Sequence, residues 1–161
     1  MPRAKIKPVQ ELRKIISRLK CEGKRIVFTN GCFDLLHYGH VKYLADAKKK
    51  GDILIVAINS DASVKRIKGD KRPIINEKDR LKTVASLVSV DYVVLFKEDT
   101  PLKLIKLLRP DILVKGADWS KNNIVGKDYV LSYGGRVSTV RLVKGYSTTL
   151  LIKKIKKIGF R

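Results

Sequence analysis

Both histidines of the chain fall in one short segment, residues 29–40, where their spacing could serve phosphate chemistry. His37 and His40 are three residues apart at the predicted start of a helix, so they share one side of its first turn. There they lie beside unbonded backbone N–H groups and the positive end of the helix dipole. Each imidazole can donate a hydrogen bond to a phosphate oxygen, and Gly39 between them leaves room for a close backbone approach to a ligand. The pair therefore indicates charge stabilisation in a phosphoryl or nucleotidyl transfer.

Other interpretations of the two histidines stay open at this point. Either could be an ordinary surface or core histidine, or the two could hold zinc. Zinc pairs on a helix favour i, i+4 spacing, however, and Cys21 and Cys32 have no CxxC spacing. We therefore predict no metal site built from protein side chains. Two cysteines are also too few for a disulfide framework, so a reducing cytoplasm suits them.

Short apolar runs and amphipathic stretches predict strands and helices that alternate along the whole chain. The predicted strands are residues 26–28, 53–58, 92–96, 112–114 and 136–140. The predicted helices are residues 9–19, 39–50, 61–67, 80–87, 100–108, 126–133 and 148–158. This order is typical of an α/β, Rossmann-like, doubly wound parallel sheet, in which ligands bind beyond the carboxyl ends of the strands. We expect a single domain, residues 23–161, preceded by an N-terminal helical extension, residues 1–22.

The formal net charge of +21 is the most unusual bulk property of this 161-residue chain. It suits nucleic acid, an anionic membrane surface or a phosphorylated small molecule as a partner, and charge alone cannot choose among them. Solvated helix faces are the simplest explanation for most of the lysines. No apolar run approaches the length of a membrane span, and the N-terminus does not look like a signal peptide. We therefore expect a cytoplasmic protein with no membrane partner.

The segment that carries the histidines also resembles that of a known family. Residues 31–40, GCFDLLHYGH, resemble the HxGH signature of the cytidylyltransferase-like nucleotidyltransferases, whose histidines bind the triphosphate and stabilise the transition state. Within that superfamily the chain resembles the D-glycero-β-D-manno-heptose 1-phosphate adenylyltransferases from about Gly23 onward. One departure is Lys144, where an acidic residue is expected. The supporting segments are residues 68–74, 90–94, 98–101, 109–116 and 143–149.

The resemblance implies a reaction and a set of site residues. The reaction is transfer of AMP from ATP to D-glycero-β-D-manno-heptose 1-phosphate, which gives ADP-heptose and pyrophosphate. Mg²⁺ would accompany ATP and take most of its ligands from phosphate and water. His37 and His40 would be catalytic. The implied nucleotide-binding residues are Asn30, Gly31, Cys32, Phe33, Gly39, Lys68, Arg72, Gly116, Asp118, Trp119, Ser147, Thr148 and Thr149.

Physical reasoning supports part of this set. Residues 147–149 lie at the start of the last predicted helix, where hydroxyls and backbone N–H groups gather, although a simple N-cap explains them equally well. Lys68 and Arg72 flank a glycine-containing loop that can close over phosphates, with Arg80 a weaker candidate. Asp34 could orient the loop, orient a histidine or only form a turn.

Two other functions stay open. A cytidylyltransferase acting on glycerol 3-phosphate or another alcohol phosphate would use the same loop, because base choice depends on a separate pocket. The resemblance places Asp118 and Trp119 beside the ribose and base, although Trp119 could instead be a core aromatic. A non-enzymatic nucleic-acid binder is favoured only by charge, since no RNA-binding aromatic signature or DNA-reading helix is recognisable. We expect ATP and a sugar 1-phosphate as partners and no nucleic acid; a homodimer is left open.

Overall fold

Five parallel strands form one sheet at the centre of the molecule. The computed structural model describes residues 2–117 and 124–159. The sheet has the order β3-β2-β1-β4-β5, and each neighbouring pair is parallel. The direction of winding reverses at β1, so a crevice is expected between the carboxyl ends of β1 and β4. The strands are β1 (Ile26–Gly31), β2 (Ile53–Asn59), β3 (Tyr92–Phe96), β4 (Ile112–Gly116) and β5 (Arg136–Val140).

Helices cover both faces of this sheet. They are α1 (Pro2–Lys5), α2 (Val9–Cys21), α3 (Tyr38–Lys48), α4 (Asp61–Lys68), α5 (Glu77–Ala85), α6 (Leu102–Leu108), α7 (Lys127–Ser132) and α8 (Thr148–Ile158). Apolar residues of α3 and α5 pack with Val27 on one face, whereas those of α2, α6 and α7 pack with Ile26 and Phe28 on the other. The predicted doubly wound α/β fold is therefore confirmed. None of the helices within residues 2–117 and 124–159 is both long and apolar enough to span a membrane.

The predicted N-terminal helix is confirmed as α2, and its apolar stripe belongs to the main core. Lys20, near its end, donates to Asp111 Oδ1 at 2.9 Å, and Asp111 Oδ2 accepts from the Ile26 amide at 2.8 Å. The helix is thereby fixed to the start of β1. Each fully buried leucine or isoleucine contributes about 1.5–3 kcal/mol of hydrophobic stabilisation. The buried residues of α2 are Leu12, Ile16 and Leu19.

Several element boundaries differ from the predicted ones, and two of these differences have clear local reasons. Strand β1 continues past residue 28 to Gly31, because its backbone stays paired with β2 up to Ile58. Helix α5 begins at Glu77 instead of residue 80, because the Asn76 side chain caps it by accepting from the Asp79 amide at 3.1 Å. Helix α4 begins as predicted, with Ser60 as its N-cap.

Candidate active site

A cavity of about 500 Å³ lies at the carboxyl ends of β1, β2 and β4. The segment after β1, the end of α4 and the start of α8 complete its walls. Asp118 and Trp119 lie outside the described residues, so their predicted place beside the base stays a prediction. The structure brings together the other predicted residues, all of which line the cavity: Asn30, Gly31, Cys32, Phe33, His37, Gly39, His40, Lys68, Arg72, Gly116, Ser147, Thr148 and Thr149.

The two histidines stack at the start of α3. His37 is the N-cap residue, with extended backbone angles, and His40 lies in the first helical turn. Their ring centroids are 3.8 Å apart and the ring planes differ by 18°. Three of their nitrogens, both of His37 and Nδ1 of His40, are buried and have no hydrogen-bond partner within the described residues. Because buried polar atoms nearly always have a partner in a folded protein, these nitrogens are suited to a bound ligand.

Burial lowers the pKa of both imidazoles and so favours their uncharged forms. Loss of hydration lowers the pKa of His37 below its usual value. The pKa of His40 falls to about 4, first because of burial and then because of repulsion from His37, while Asp34 acts in the opposite direction. A neutral imidazole still carries one N–H, so each ring can donate to a phosphate oxygen without first taking up a proton.

Gly39 is required here by packing. A Cβ atom at this position would lie 2.9 Å from Tyr146 Cβ and 3.0 Å from His37 Nδ1. Both distances are too short for carbon in contact with these atoms, so a side chain would displace Tyr146 or the His37 ring. The prediction that Gly39 lets the backbone approach a ligand stays untested. The structure shows a separate need for glycine here, which is the close packing of Tyr146 and His37.

Asp34 connects the loop between β1 and α3, residues 32–37, here called the histidine loop, to the loop that follows α4, residues 69–76. Its side chain is fully buried and accepts from Arg72 Nε at 2.7 Å and from the amides of Ile74 and Ile75 at 2.9 Å each. Its neighbours Phe33 and Leu35 have left-handed backbone angles, φ 48° and 47°. Of the roles considered for Asp34, the structure supports orientation of the loop, since the carboxylate contacts no histidine by hydrogen bond within the described residues.

The pKa of Asp34 reflects this network. Burial by itself raises the pKa of the carboxyl group, but the amides of Ile74 and Ile75 and the Arg72 guanidinium outweigh it. The net result is a pKa below the usual range. Asp34 is therefore ionised at neutral pH and holds Arg72 by a charge-assisted hydrogen bond.

The start of α8 closes the cavity on another side. Ser147 is the N-cap, and its Oγ accepts from the Leu150 amide at 3.1 Å, so the N-cap explanation holds for this residue. Thr148 Oγ1 donates to the Asp34 carbonyl at 2.7 Å, which ties α8 to the histidine loop. A hydroxyl has one proton, so Thr148 in this position can offer a phosphate only its backbone N–H. The Ser147 hydroxyl retains its proton for a ligand.

The three basic candidates have different surroundings. Lys68 is exposed and Arg72 is held by Asp34, and both line the cavity. Arg80, in contrast, is 1% exposed. Its guanidinium donates to the Cys32, Asn59 and Ile75 carbonyls and to Asp61 Oδ1, at 2.6 to 2.9 Å. Arg80 therefore fixes the ends of β1 and β2 to each other, and it is not among the described residues that line the cavity.

Lys115 is a cavity residue that the sequence analysis did not single out. It is 8% exposed in β4, and its Nζ donates to Asn30 Oδ1 at the end of β1. The two residues join neighbouring strands at the floor of the cavity. A lysine inside an otherwise apolar strand was the signal that could have identified it, because lysine is almost never buried without a partner.

Protein side chains offer little to a metal ion in this site. Within residues 2–117 and 124–159, no group of three histidine, cysteine, aspartate or glutamate residues is placed to hold a metal. Asp34, the buried carboxylate closest in sequence to the histidines, already accepts three hydrogen bonds. A metal that enters with a nucleotide would have to find most of its ligands in phosphate and water.

The fold and the site together are typical of one class of nucleotide-binding proteins, the nucleotidyltransferases. The features that indicate this class are the parallel sheet, the cavity where its winding reverses and the stacked HxGH histidines. The chain belongs to the cytidylyltransferase-like family, whose family model matches residues 28–155. It is 59% identical over 152 residues to the Bifunctional protein HldE of Geobacter metallireducens. It is 55% identical over 154 residues to the protein of the same name from Geobacter sulfurreducens. These alignments cover 94% and 96% of this chain but 31% of each relative, so the chain spans about a third of their length.

Solved structures agree on the fold. The lipopolysaccharide core biosynthesis protein from Thermoplasma volcanium is 34% identical, with a TM-score of 0.63, and the match covers 78% of this chain and 100% of that one. The pantoate-beta-alanine ligase from Francisella tularensis has a TM-score of 0.58 over 95% of this chain and 77% of its own. At 15% identity, this second likeness shows the fold alone.

Proposed function

We propose that this chain transfers AMP from ATP to D-glycero-β-D-manno-heptose 1-phosphate. The observation that carries the proposal is the stacked pair of His37 and His40, whose buried nitrogens have no partner within the described residues. Family membership supports a nucleotidyl transfer. The resemblance to heptose 1-phosphate adenylyltransferases and the likeness to HldE proteins support the particular substrates. The name of the Thermoplasma neighbour, which refers to lipopolysaccharide core biosynthesis, favours a sugar phosphate as acceptor.

In this reaction an oxygen of the heptose 1-phosphate attacks the α-phosphorus of ATP. The new P–O bond forms as the bond to the β-phosphate breaks, and pyrophosphate leaves on the opposite side. His37 and His40 donate to the non-bridging oxygens of the α-phosphate as charge collects there. Lys68 and Arg72 contact the departing phosphates, and Arg72 is already oriented by Asp34. The protein contributes orientation and charge stabilisation and forms no covalent intermediate.

The remaining contacts belong to the nucleotide. The Ser147 hydroxyl and the backbone N–H groups of Thr148 and Thr149 bind the triphosphate at the positive end of α8. For the ribose and base, the family resemblance implies contacts from Gly116, Asp118 and Trp119. Mg²⁺ would take most of its ligands from the phosphates and water, and it would neutralise part of their charge. Because ATP is a substrate, the proposal includes a cytoplasmic location.

Pyrophosphate release measures this function directly. Purified protein is tested with ATP and CTP, each combined with D-glycero-β-D-manno-heptose 1-phosphate and with glycerol 3-phosphate. The histidines and residues 147–149 bind both triphosphates alike, so discrimination comes from the base pocket. An unpaired polar group left by the wrong base costs roughly 1–3 kcal/mol, so kcat/KM with the heptose phosphate should favour ATP by about 5-fold to 150-fold. Equal values, or preference for CTP, would move the chain to the cytidylyltransferases.

A further inference from the structure

Two partly exposed tyrosines lie together beside the histidines. Tyr38 is 55% exposed and Tyr146 is 47% exposed, and their rings meet edge to face with centroids 5.5 Å apart. The Tyr146 ring centroid is 6.2 Å from that of His37, and Tyr146 lines the cavity. Exposed aromatic surface that adjoins a polar cavity commonly marks a place where a ligand binds.

The surrounding backbone holds this pair in place from both sides. Tyr38 is the first residue of α3, directly between His37 and Gly39, and Tyr146 directly precedes the N-cap of α8. Because a Cβ at position 39 would lie 2.9 Å from Tyr146 Cβ, the glycine allows Tyr146 to contact the first turn of α3. The Thr148 bond to the Asp34 carbonyl, 2.7 Å long, keeps α8 against the same loop. The two rings are therefore positioned before any ligand arrives.

We propose that the Tyr38–Tyr146 pair binds the sugar ring of the acceptor. The inference rests on the proposed function and extends it to a subsite. A sugar presents C–H faces and hydroxyl groups, and a tyrosine offers an apolar ring face and a hydroxyl that match both. The acceptor phosphate must reach the α-phosphate held by His37 and His40, so its sugar lies next to the histidines. Tyr146 adjoins that position, since its ring centroid is 6.2 Å from that of His37.

The competing occupant is the adenine base, which could also lie against a tyrosine ring. The resemblance places the base near Gly116, at the end of β4. The two occupants predict different losses on substitution: affinity for the sugar phosphate in one case and affinity for ATP in the other. Measuring the binding of the sugar phosphate and of an ATP analogue separately distinguishes the two occupants, and this measurement does not depend on turnover.

Calorimetry on the full chain provides the test. The ligands are D-glycero-β-D-manno-heptose 1-phosphate, inorganic phosphate and a non-hydrolysable ATP analogue. Tyr146→Ala and Tyr38→Ala should each raise the Kd of the sugar phosphate about 3-fold to 10-fold, with the other two Kd values unchanged. The matched control is Tyr129→Ala. Tyr129 and Tyr133 form another edge-to-face pair, with centroids 5.2 Å apart. Neither is among the described residues that line the cavity, whereas Tyr146 lines it and Tyr38 packs against the Tyr146 ring. This control should change none of the three.

Kinetics give a second readout. Both alanine variants should raise KM for the sugar phosphate and leave kcat within about 3-fold. Tyr146→Phe keeps the ring face and loses only the hydroxyl, so it should raise KM less than Tyr146→Ala does. If Tyr146→Ala does not fold, as judged by circular dichroism, Tyr38→Ala at its exposed position carries the test. Unchanged sugar-phosphate affinity in the folded variants, or a loss confined to the ATP analogue, would overturn the inference. A wild-type chain that binds the sugar phosphate but releases no pyrophosphate would contradict the proposed function alone.

Discussion

The Asp34 carboxylate accepts a hydrogen bond from Arg72 Nε at 2.7 Å. This bond joins the histidine loop to the loop that follows α4, although the two residues are 38 positions apart in sequence. The Asp34 side chain has no exposed surface, and that of Arg72 is 17% exposed. A buried partner holds the guanidinium on the cavity wall, so little conformational entropy is lost when a phosphate binds there. Under the proposed function, Arg72 would therefore be a preorganised contact for a phosphate, whereas Lys68 is exposed to solvent.

Replacement of Asp34 should therefore affect both stability and catalysis. Asp34→Asn removes the negative charge beside Arg72. It also leaves one oxygen where two accepted hydrogen bonds from Arg72 Nε and the amides of Ile74 and Ile75, and it turns an NH₂ group toward these donors. We expect a loss of about 3 kcal/mol in the free energy of unfolding, measured in urea, together with a higher KM for ATP. The control is Asp52→Asn, which removes the same charge from a surface pair with Arg25. Its unfolding midpoint should hardly move, and an equal loss in both variants would contradict the prediction.

The stacked histidines should matter for turnover far more than for folding. His37→Ala or His40→Ala removes a donor to the charge that develops on the α-phosphate, so kcat should fall by about 100-fold or more. Stability should change less, since three of the four nitrogens have no hydrogen bond to lose within the described residues. Lys42→Ala, a change at a partly exposed position in the same helix that removes an ion pair with Asp46, serves as the control. Turnover close to wild type in both histidine variants would remove the mechanism.

The low pKa of His40 makes stability depend on pH. Its pKa is about 4 in the folded chain against 6.5 as the usual value, so between these limits the unfolded chain binds more protons than the folded one. The free energy of unfolding is then at its full value above about pH 6.5. It should decrease as the pH falls toward 4, by roughly 1–3 kcal/mol. Urea unfolding across this range measures the slope, and His40→Asn should flatten it; an unchanged slope in that variant would argue against the assignment.

The basic surface should bind nucleic acid only weakly and without sequence preference. If the charge serves phosphorylated small molecules, affinity for RNA or duplex DNA should decrease steeply with salt. Fluorescence anisotropy with two unrelated sequences at low and at physiological salt measures both properties. Pyrophosphate release should not require the polymer. A tight, sequence-selective complex at physiological salt would instead support the nucleic-acid hypothesis.

The sequence predicted the sheet and the location of the site because both depend on local patterns. Apolar runs such as residues 53–58 predict strands from local sequence alone. The histidine loop directly follows the first predicted strand, residues 26–28. Ser147 could be recognised as a helix cap from its position alone. These features need only neighbours in sequence. The parallel order of the strands then brought the predicted residues to one edge, as the switch-point rule requires.

Long-range polar contacts could not be predicted in the same way. Arg80 resembles a surface arginine in sequence, yet it is buried because carbonyls from three separate segments converge on it. The role of Asp34 likewise depends on where residues 72–75 lie. Nothing in the composition of either segment specifies such a partner. The pairing of Lys115 with Asn30 is a consequence of strand order, and the order follows from packing of the whole domain.

The bond between Thr148 and Asp34 has a consequence for synthesis of the chain. The two residues are 114 positions apart in sequence, and α8 is the last described helix. While the ribosome is still making the segment before α8, the emerged histidine loop lacks this wall of the cavity. Folding that proceeds from the N-terminus can form β1 and α3 early, but the cavity lacks the wall that α8 contributes until α8 has emerged. Nascent chains stalled before residue 147 should therefore be unable to retain ATP.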